Sequence, residues 1–176
     1  MKILSIGASS SSSSINQQLS NHAARQVPGA VVTNFPLREL TLPIYSEDEE
    51  KQNGIPVDAQ RFLDTIRDHD GIVISLAEHN GSYTAAFKNL YDWASRAEQN
   101  VWQDKPMLLL STSPGARGGA TVMEAAKATF PRMGADLAAS FSLPSFYDHF
   151  SSQDGINEPS LSSQLDEAIT AFTSSL

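Results

Sequence analysis

Gly71-Ile72-Val73-Ile74-Ser75-Leu76 and Pro106-Met107-Leu108-Leu109-Leu110-Ser111 are short, almost wholly apolar runs. Neither alternates apolar with polar residues, so both faces of each strand must be covered, the pattern of interior strands in a parallel sheet. Three weaker runs of similar length flank them: Lys2–Ile6, Ala30–Phe35 and Asp136–Phe141. Between the five lie longer amphipathic stretches predicted as helices at Ile15–Gln26, Asp58–Asp68, Thr84–Glu98 and Gly119–Met133, and a last helix is predicted at Leu161–Ser174. In Asp58–Asp68 the apolar Phe62, Leu63 and Ile66 share one side while Arg61, Asp64, Arg67 and Asp68 take the other, the stripe of a helix laid on a sheet. Asp58 is expected to cap that helix, and Gly134 to terminate the helix before the last strand.

Alternation of strand and helix with right-handed crossovers predicts an α/β fold: a doubly wound, five-stranded parallel sheet of flavodoxin-like order 2-1-3-4-5, with helices on both faces. The 176 residues suit one domain spanning 1–176, with no internal repeat and no interdomain linker. The long connection Pro36–Val57 holds Pro43, the acidic run Glu47–Glu50 and Gly54, and is expected to be a mobile surface loop. Ser145–Pro159 carries no readable pattern.

Composition narrows the function. Hydrophobic residues make up 40% and charged residues 18%, ordinary for a globular protein. A formal net charge of −8 lacks the electrostatic footprint of a nucleic-acid binder and disfavours an anionic membrane surface. No run approaches the roughly 20 apolar residues needed to cross a bilayer, and Met1–Gly7 reads as a strand rather than an export signal, so a cytoplasmic location is expected. The chain has no cysteine, which removes disulfides, thiol nucleophiles and cysteine-bound metals together. Redox chemistry here must come from a bound organic cofactor or a metal held by other ligands; no metal site and no catalytic acid or base is assigned.

In the expected strand order, the loops after strands 1, 3 and 4 lie side by side at the carboxyl edge, where such sheets bind ligands. The first, Gly7-Ala8-Ser9-Ser10-Ser11-Ser12-Ser13-Ser14-Ile15-Asn16, combines small residues, hydroxyl donors and a helix N-terminus, which together suit a monophosphate. It matches neither Gly-x-x-x-x-Gly-Lys-Ser/Thr nor Gly-x-Gly-x-x-Gly, which disfavours a nucleoside triphosphate or a wrapped dinucleotide pyrophosphate. A plain serine linker containing an N-cap would have the same composition. The second, Ala77-Glu78-His79-Asn80-Gly81-Ser82-Tyr83, contains an Asn-Gly turn whose backbone donors suit the polar edge of a planar heterocycle. The third, Thr112-Ser113-Pro114-Gly115-Ala116-Arg117-Gly118-Gly119, surrounds an arginine with glycines.

These loops resemble the NADPH-dependent FMN reductase family, a flavodoxin-like group that includes quinone, chromate and azo reductases. Aligned on Asn16, the family's Gly-Ser-x-Arg-x-x-Ser-x-Asn loop places its serines at Ser9 and Ser14. Its Pro-x-Tyr-Asn-Gly-Ser loop falls on Ala77–Ser82, its Leu-Lys-Asn-x-x-Asp-Trp helix on Phe87–Trp93, and its Ser-x-Gly turn on Ser113–Gly115. Leu42-Pro43-Ile44-Tyr45 resembles a segment the family places beside the cofactor. The family's arginine is replaced by Ser11, its proline by Ala77 and its tyrosine by His79, and loss of the guanidinium predicts looser FMN. The resemblance implies FMN and NADPH or NADH as cofactors. It implies the FMN phosphate at Ser9, Ser11, Ser13, Ser14, Ile15 and Asn16, and the isoalloxazine edge at Glu78, His79, Asn80, Gly81 and Ser82. Ser113, Gly115 and Arg117 take the far side, with Arg117 also a candidate for an NADPH phosphate.

The implied reaction moves hydride from a nicotinamide to FMN and then electrons to a small-molecule acceptor such as free flavin, a quinone, chromate or an azo compound. A flavin-binding electron carrier or sensor without nicotinamide turnover, and a member that holds FMN weakly, use the same residues. The family also implies a homodimer or homotetramer, and aromatic Tyr91, off the main stripe of Thr84–Glu98, is a candidate subunit contact.

Overall fold

The computed structural model describes all residues, Met1–Leu176. The chain runs β1 (Lys2–Ala8), α1 (Ile15–Arg25), β2 (Val31–Asn34), α2 (Glu47–Asn53), α3 (Val57–Arg67), β3 (Gly71–Leu76), β4 (Glu78–His79), β5 (Ser82–Tyr83), α4 (Ala85–Ala97), β6 (Lys105–Thr112), α5 (Ala120–Thr129), β7 (Ala135–Leu143), α6 (Phe146–His149), β8 (Phe150–Ser151), β9 (Gly155–Ile156) and α7 (Pro159–Ser175). The main sheet is parallel with order β2-β1-β3-β6-β7. Without the short hairpin strands β4 and β5, this is the expected 2-1-3-4-5.

The interior runs behave as their composition demands. In β3, Ile72, Ile74 and Leu76 enter one core and Val73 the other; in β6, Met107 and Leu109 oppose Leu108 and Leu110. Successive side chains point to opposite faces, so both strands are sandwiched. Helices α3, α4 and α5 cover the first face through residues such as Phe62, Ile66, Phe87, Leu90, Val122 and Ala126. Helices α1 and α7 cover the second through Leu19, Ala23, Leu165, Ile169 and Phe172. At Gly7 the sheet and α1 approach so closely that a Cβ would lie 2.5 Å from the Gln17 backbone, which excludes any side chain there.

Several local expectations change. Asp58 does not cap α3: Pro56 holds the N-cap position, and the Asp58 carboxylate accepts instead from the Thr41 N–H at 3.0 Å. Pro36–Val57 is not an open loop, because it contains a 3₁₀ turn at Leu37–Glu39 and helix α2 capped by Ser46. It is also clamped to α4. The Pro43 carbonyl accepts from Asn89 Nδ2 at 2.9 Å and Trp93 Nε1 at 2.8 Å, and the Tyr45 N–H donates to Asn89 Oδ1 at 2.9 Å. Farther along, Glu50 accepts from Tyr45 and from Arg96 Nε, and the Arg96 guanidinium holds the Glu50 carboxyl below the usual carboxylate range. Tyr91 is no free contact surface either. It is buried, stacked on Phe87 at 5.9 Å and set beside Trp102 and Phe130. Gly134 does end the preceding helix, in the left-handed conformation.

Candidate functional site

The loops after β1, β3 and β6 meet at the carboxyl edge of the sheet, around a crevice of about 230 Å³. Ser9, Ser11, Ser13, Ser14, Ile15 and Asn16 line it from the first loop, Ala77, Glu78 and His79 from the second, and Thr112, Ser113 and Pro114 from the third. The segment 145–149 closes this end, since the Ser145 and Phe146 N–H groups donate to the Gly115 and Ser113 carbonyls, and Tyr147 joins the lining while 71% exposed. Tyr147 was invisible to sequence reasoning because no periodicity or turn signal ties 145–149 to the third loop.

The serine loop presents backbone rather than a cage of side chains. Ser14 is the N-cap of α1, its Oγ accepting from the Gln17 N–H at 3.1 Å, and Ser9 Oγ accepts from the Ser11 N–H at 3.2 Å. The N–H groups of Ser12, Ser13, Ser14, Ile15 and Asn16 donate to no protein acceptor. Five consecutive free donors at the start of a helix, at the positive end of its dipole, are a donor set that suits an anion. The Gly7 N–H is not among them, being taken by Gln17 Oε1 at 3.0 Å.

Asn16 has a different job from the one its place in the loop motif suggests. Its side chain is buried and turned inward: Nδ2 donates to the Thr112 carbonyl at 3.2 Å, while Oδ1 accepts from the Thr112 N–H at 3.2 Å and from Ser75 Oγ at 2.7 Å. One carboxamide thus ties the ends of β3 and β6 to the first turn of α1, and only the Asn16 backbone remains for a ligand. Thr84 makes a second tie, capping α4 through the Phe87 N–H while its hydroxyl donates to the Ala8 carbonyl at 2.9 Å.

The second loop forms the β4–β5 hairpin. Asn80 and Gly81 both have positive φ, 53° and 75°, as a two-residue type I′ turn requires. The turn projects outward, so exposed Asn80, Gly81 and Ser82 stand outside the crevice lining, whereas Ala77, Glu78 and His79 are in it. Glu78 is partly committed: its Oε2 accepts from the Val122 N–H at 3.0 Å and supplies the cap that α5 lacks at Gly119. In the third loop, Ser113 lines the crevice, but Gly115 and Arg117 do not. The Gly115 carbonyl accepts from Ser113 Oγ, and Arg117 donates to Thr121 Oγ1 at 2.8 Å. Gly118 is required in place, because φ is +57° and a Cβ would lie 2.5 Å from Ser142 Oγ.

A parallel sheet of this order, with an N–H-lined loop opening α1 and a crevice at the carboxyl edge of β1, β3 and β6, defines a flavodoxin-like fold. The profile of the NADPH-dependent FMN reductase family matches residues 1–148, and the chain belongs to that family. It is 36% identical over 121 residues to a 2-hydroxy-1,4-benzoquinone reductase of Burkholderia sp. It is 28% identical over 120 residues to the quinone reductase of Escherichia coli. Each alignment covers 68% of this chain but 64% of the relative, just under two thirds of the relative's length. Among solved structures, the FerB flavoenzyme NAD(P)H:(acceptor) oxidoreductase of Paracoccus denitrificans superposes with a TM-score of 0.77 at 23% identity, covering 99% of this chain and 96% of that one. An FMN-dependent NADH-azoreductase of Bacillus anthracis, solved with FMN, superposes at 0.65 with 15% identity and 98% coverage of both chains. These superpositions establish the fold.

Proposed function

We propose that the protein is an FMN-dependent NAD(P)H oxidoreductase that passes electrons from a reduced nicotinamide to a small acceptor of the quinone, free-flavin, azo or chromate type. The observation that carries this reading is the run of five unpartnered N–H groups from Ser12 to Asn16 beside the crevice. That donor set fits a flavin monophosphate without needing a cation in the loop, and membership of the family supports the same ligand.

Bound FMN supplies the two-electron chemistry that a chain with no cysteine does not supply itself. The protein's part is positioning. The serine loop would hold the phosphate, Ala77, Glu78 and His79 from the β3 side and Thr112, Ser113 and Pro114 from the β6 side would border the flavin, and exposed Tyr147 stands at the open side. Asn80, Gly81 and Ser82 form the rim, and Gly115 and Arg117 shape the third loop from behind. Relatives described as quinone reductases favour a quinone among the acceptors. The proposal includes a homodimer or homotetramer, supported by Ile44, which is 79% exposed on a segment clamped to α4; a solution mass of 19.0 kDa would refute it.

The test is a titration with FMN followed through the visible flavin spectrum, then anaerobic addition of NADPH or NADH. Spectral perturbation followed by rapid bleaching is expected. Bound flavin that stays oxidised would leave a flavin-binding carrier and reject the reductase; no perturbation rejects the flavin site itself.

A further inference from the structure

The serine loop has a second side. Ser9, Ser11, Ser13 and Ser14 line the crevice and also a larger cavity of about 440 Å³ lying between the loop, α1 and the segment that leaves β2. The larger cavity is the size of a ligand pocket, which run from about 300 Å³ upward, and most of its lining residues are polar, with Phe35 and Leu37 the large apolar contributors. Arg38 is the only lysine or arginine lining either cavity, and its guanidinium makes no ion pair or hydrogen bond within the protein. Gln18 and Asn34 face the same space, also without a protein partner for their side chains, and exposed Glu39 offers a carboxylate.

We propose that this cavity binds an adenosine phosphate group, the half by which FAD extends beyond FMN, so that the protein accepts a flavin dinucleotide across the serine loop. The inference rests on the reading of the crevice as the flavin site. A flavin phosphate on the Ser12–Asn16 donors lies on the wall common to both cavities. A second phosphate attached to it therefore enters the larger cavity, where Arg38 offers the charge-assisted partner that the loop lacks. Beyond it, the Glu39 carboxylate can accept from ribose hydroxyls, Gln18 and Asn34 can pair with ribose or adenine, and the partly exposed Pro36 offers an apolar surface to the base. The wall common to the two cavities is made of Ser9, Ser11, Ser13 and Ser14, and Ser11, where the family loop has an arginine, puts no large side chain on it. The absence of a glycine cradle does not oppose this, because the pyrophosphate would run over the loop instead of wrapping against it. The same adenosine phosphate chemistry is carried by NADPH, and the experiment separates the two sources.

Dissociation constants for FMN, FAD and riboflavin are measured by flavin fluorescence on the wild type and on R38E, R38A and R38K, and NADPH binding is measured by calorimetry on the FMN-loaded protein. Arg38 is exposed and unpartnered, so all variants are expected to fold with unchanged melting curves. FAD is expected to bind the wild type at least as tightly as FMN, with R38E weakening FAD tenfold or more, R38K restoring part of the loss, and FMN shifting less than twofold. If FAD is indifferent to Arg38 while NADPH weakens tenfold, the flavin dinucleotide is overturned and the adenosine phosphate in the cavity is that of the nicotinamide. FAD binding more than tenfold weaker than FMN, with NADPH also indifferent to Arg38, overturns the proposal. Equal weakening of FMN and FAD overturns it too, because Arg38 then holds the flavin's own phosphate. Failure of all three flavins to bind overturns the flavin crevice itself, a result distinct from failure of the second cavity.

Discussion

Replacing Asn16 with alanine separates two roles that the loop motif runs together. The side chain makes three hydrogen bonds, of 3.2, 3.2 and 2.7 Å, to Thr112 and Ser75, and both partner residues are almost fully buried, at 1% and 0% exposure. A net hydrogen bond contributes about 1 kcal/mol, and a buried group left unpaired costs about 1–3 kcal/mol. Rehydration from the neighbouring crevice and the better helix propensity of alanine offset part of this, by about 0.5 kcal/mol for propensity. The expected loss is therefore about 3 kcal/mol, or roughly 6–12 °C in melting temperature for a chain of this size. FMN affinity, measured well below the transition, should change less than about threefold, because residue 16 keeps its backbone N–H. Urea denaturation and calorimetry read the first quantity, and fluorescence titration the second. A double-mutant cycle with Ser75→Ala should show a coupling of about 1 kcal/mol. The reasoning is refuted if Asn16→Ala melts within about 2 °C of wild type yet loses FMN tenfold, for the carboxamide would then be a ligand group rather than a strand tie.

Other substitutions report on the remaining contacts. Ser14→Ala removes the cap of α1 and should cost about 1 kcal/mol by urea titration, with Ser14→Gly milder; equal losses would mean that the hydroxyl does not cap. Asn89→Ala releases the Tyr45 N–H and one of two donors to the Pro43 carbonyl, so limited proteolysis should cut between residues 41 and 53 faster than in wild type, and an unchanged rate rejects the clamp. Burial pushes the Tyr91 phenol up to about 12, from an ordinary value near 10. The folded state thus holds this proton more tightly than the unfolded one, so the contribution is complete below about pH 10 and is lost as pH rises toward 12. Tyr91→Phe should flatten that alkaline limb. The hydroxyl is buried beside the Trp102 indole, which influences it without a hydrogen bond of good geometry, so the substitution should also leave stability at neutral pH unchanged or raised by about 1 kcal/mol; a marked fall would show that the Trp102 N–H is a true partner.

How much of this was legible in the sequence depends on what kind of force holds each piece. The sheet was legible because burial on both faces leaves no alternation in Gly71–Leu76 and Pro106–Ser111, and because the helices between them repeat at a period that only one sheet face can satisfy. The Asn80-Gly81 turn was legible for the same local reason, positive φ at two successive residues. Direction was not legible. Nothing in Asn16 says that its carboxamide points to β3 and β6, and nothing in Arg117 says that it serves Thr121, since each depends on elements far along the chain. Asp58 shows the opposite failure: a good cap residue stood two positions past the N-cap, Pro56, and Thr41 claimed it. Pro36–Val57 looked like loose chain because its anchors, Asn89, Trp93 and Arg96, lie on α4.

That last anchor changes what the Leu-Lys-Asn-x-x-Asp-Trp signature of the family means in this chain. Asn89 and Trp93 do not line the crevice; they converge on one carbonyl, that of Pro43, from the same face of α4. Lys88 and Asp92, the charged members of the same stretch, pair with each other at 2.7 Å on the exposed side, where such a pair contributes little. The chemistry of the helix is thus divided by face: an ion pair toward solvent and two buried-side donors toward a segment of chain. Trp93 is fully buried, and Tyr45 packs edge-on against it at 5.0 Å. The grip therefore fixes Pro43–Tyr45 rigidly enough to keep Ile44 in the open. Ile44 is thus an apolar side chain on a segment whose backbone is held on both sides by hydrogen bonds to α4. The signature thus acts in this protein by shaping the surface beside the crevice rather than by lining it.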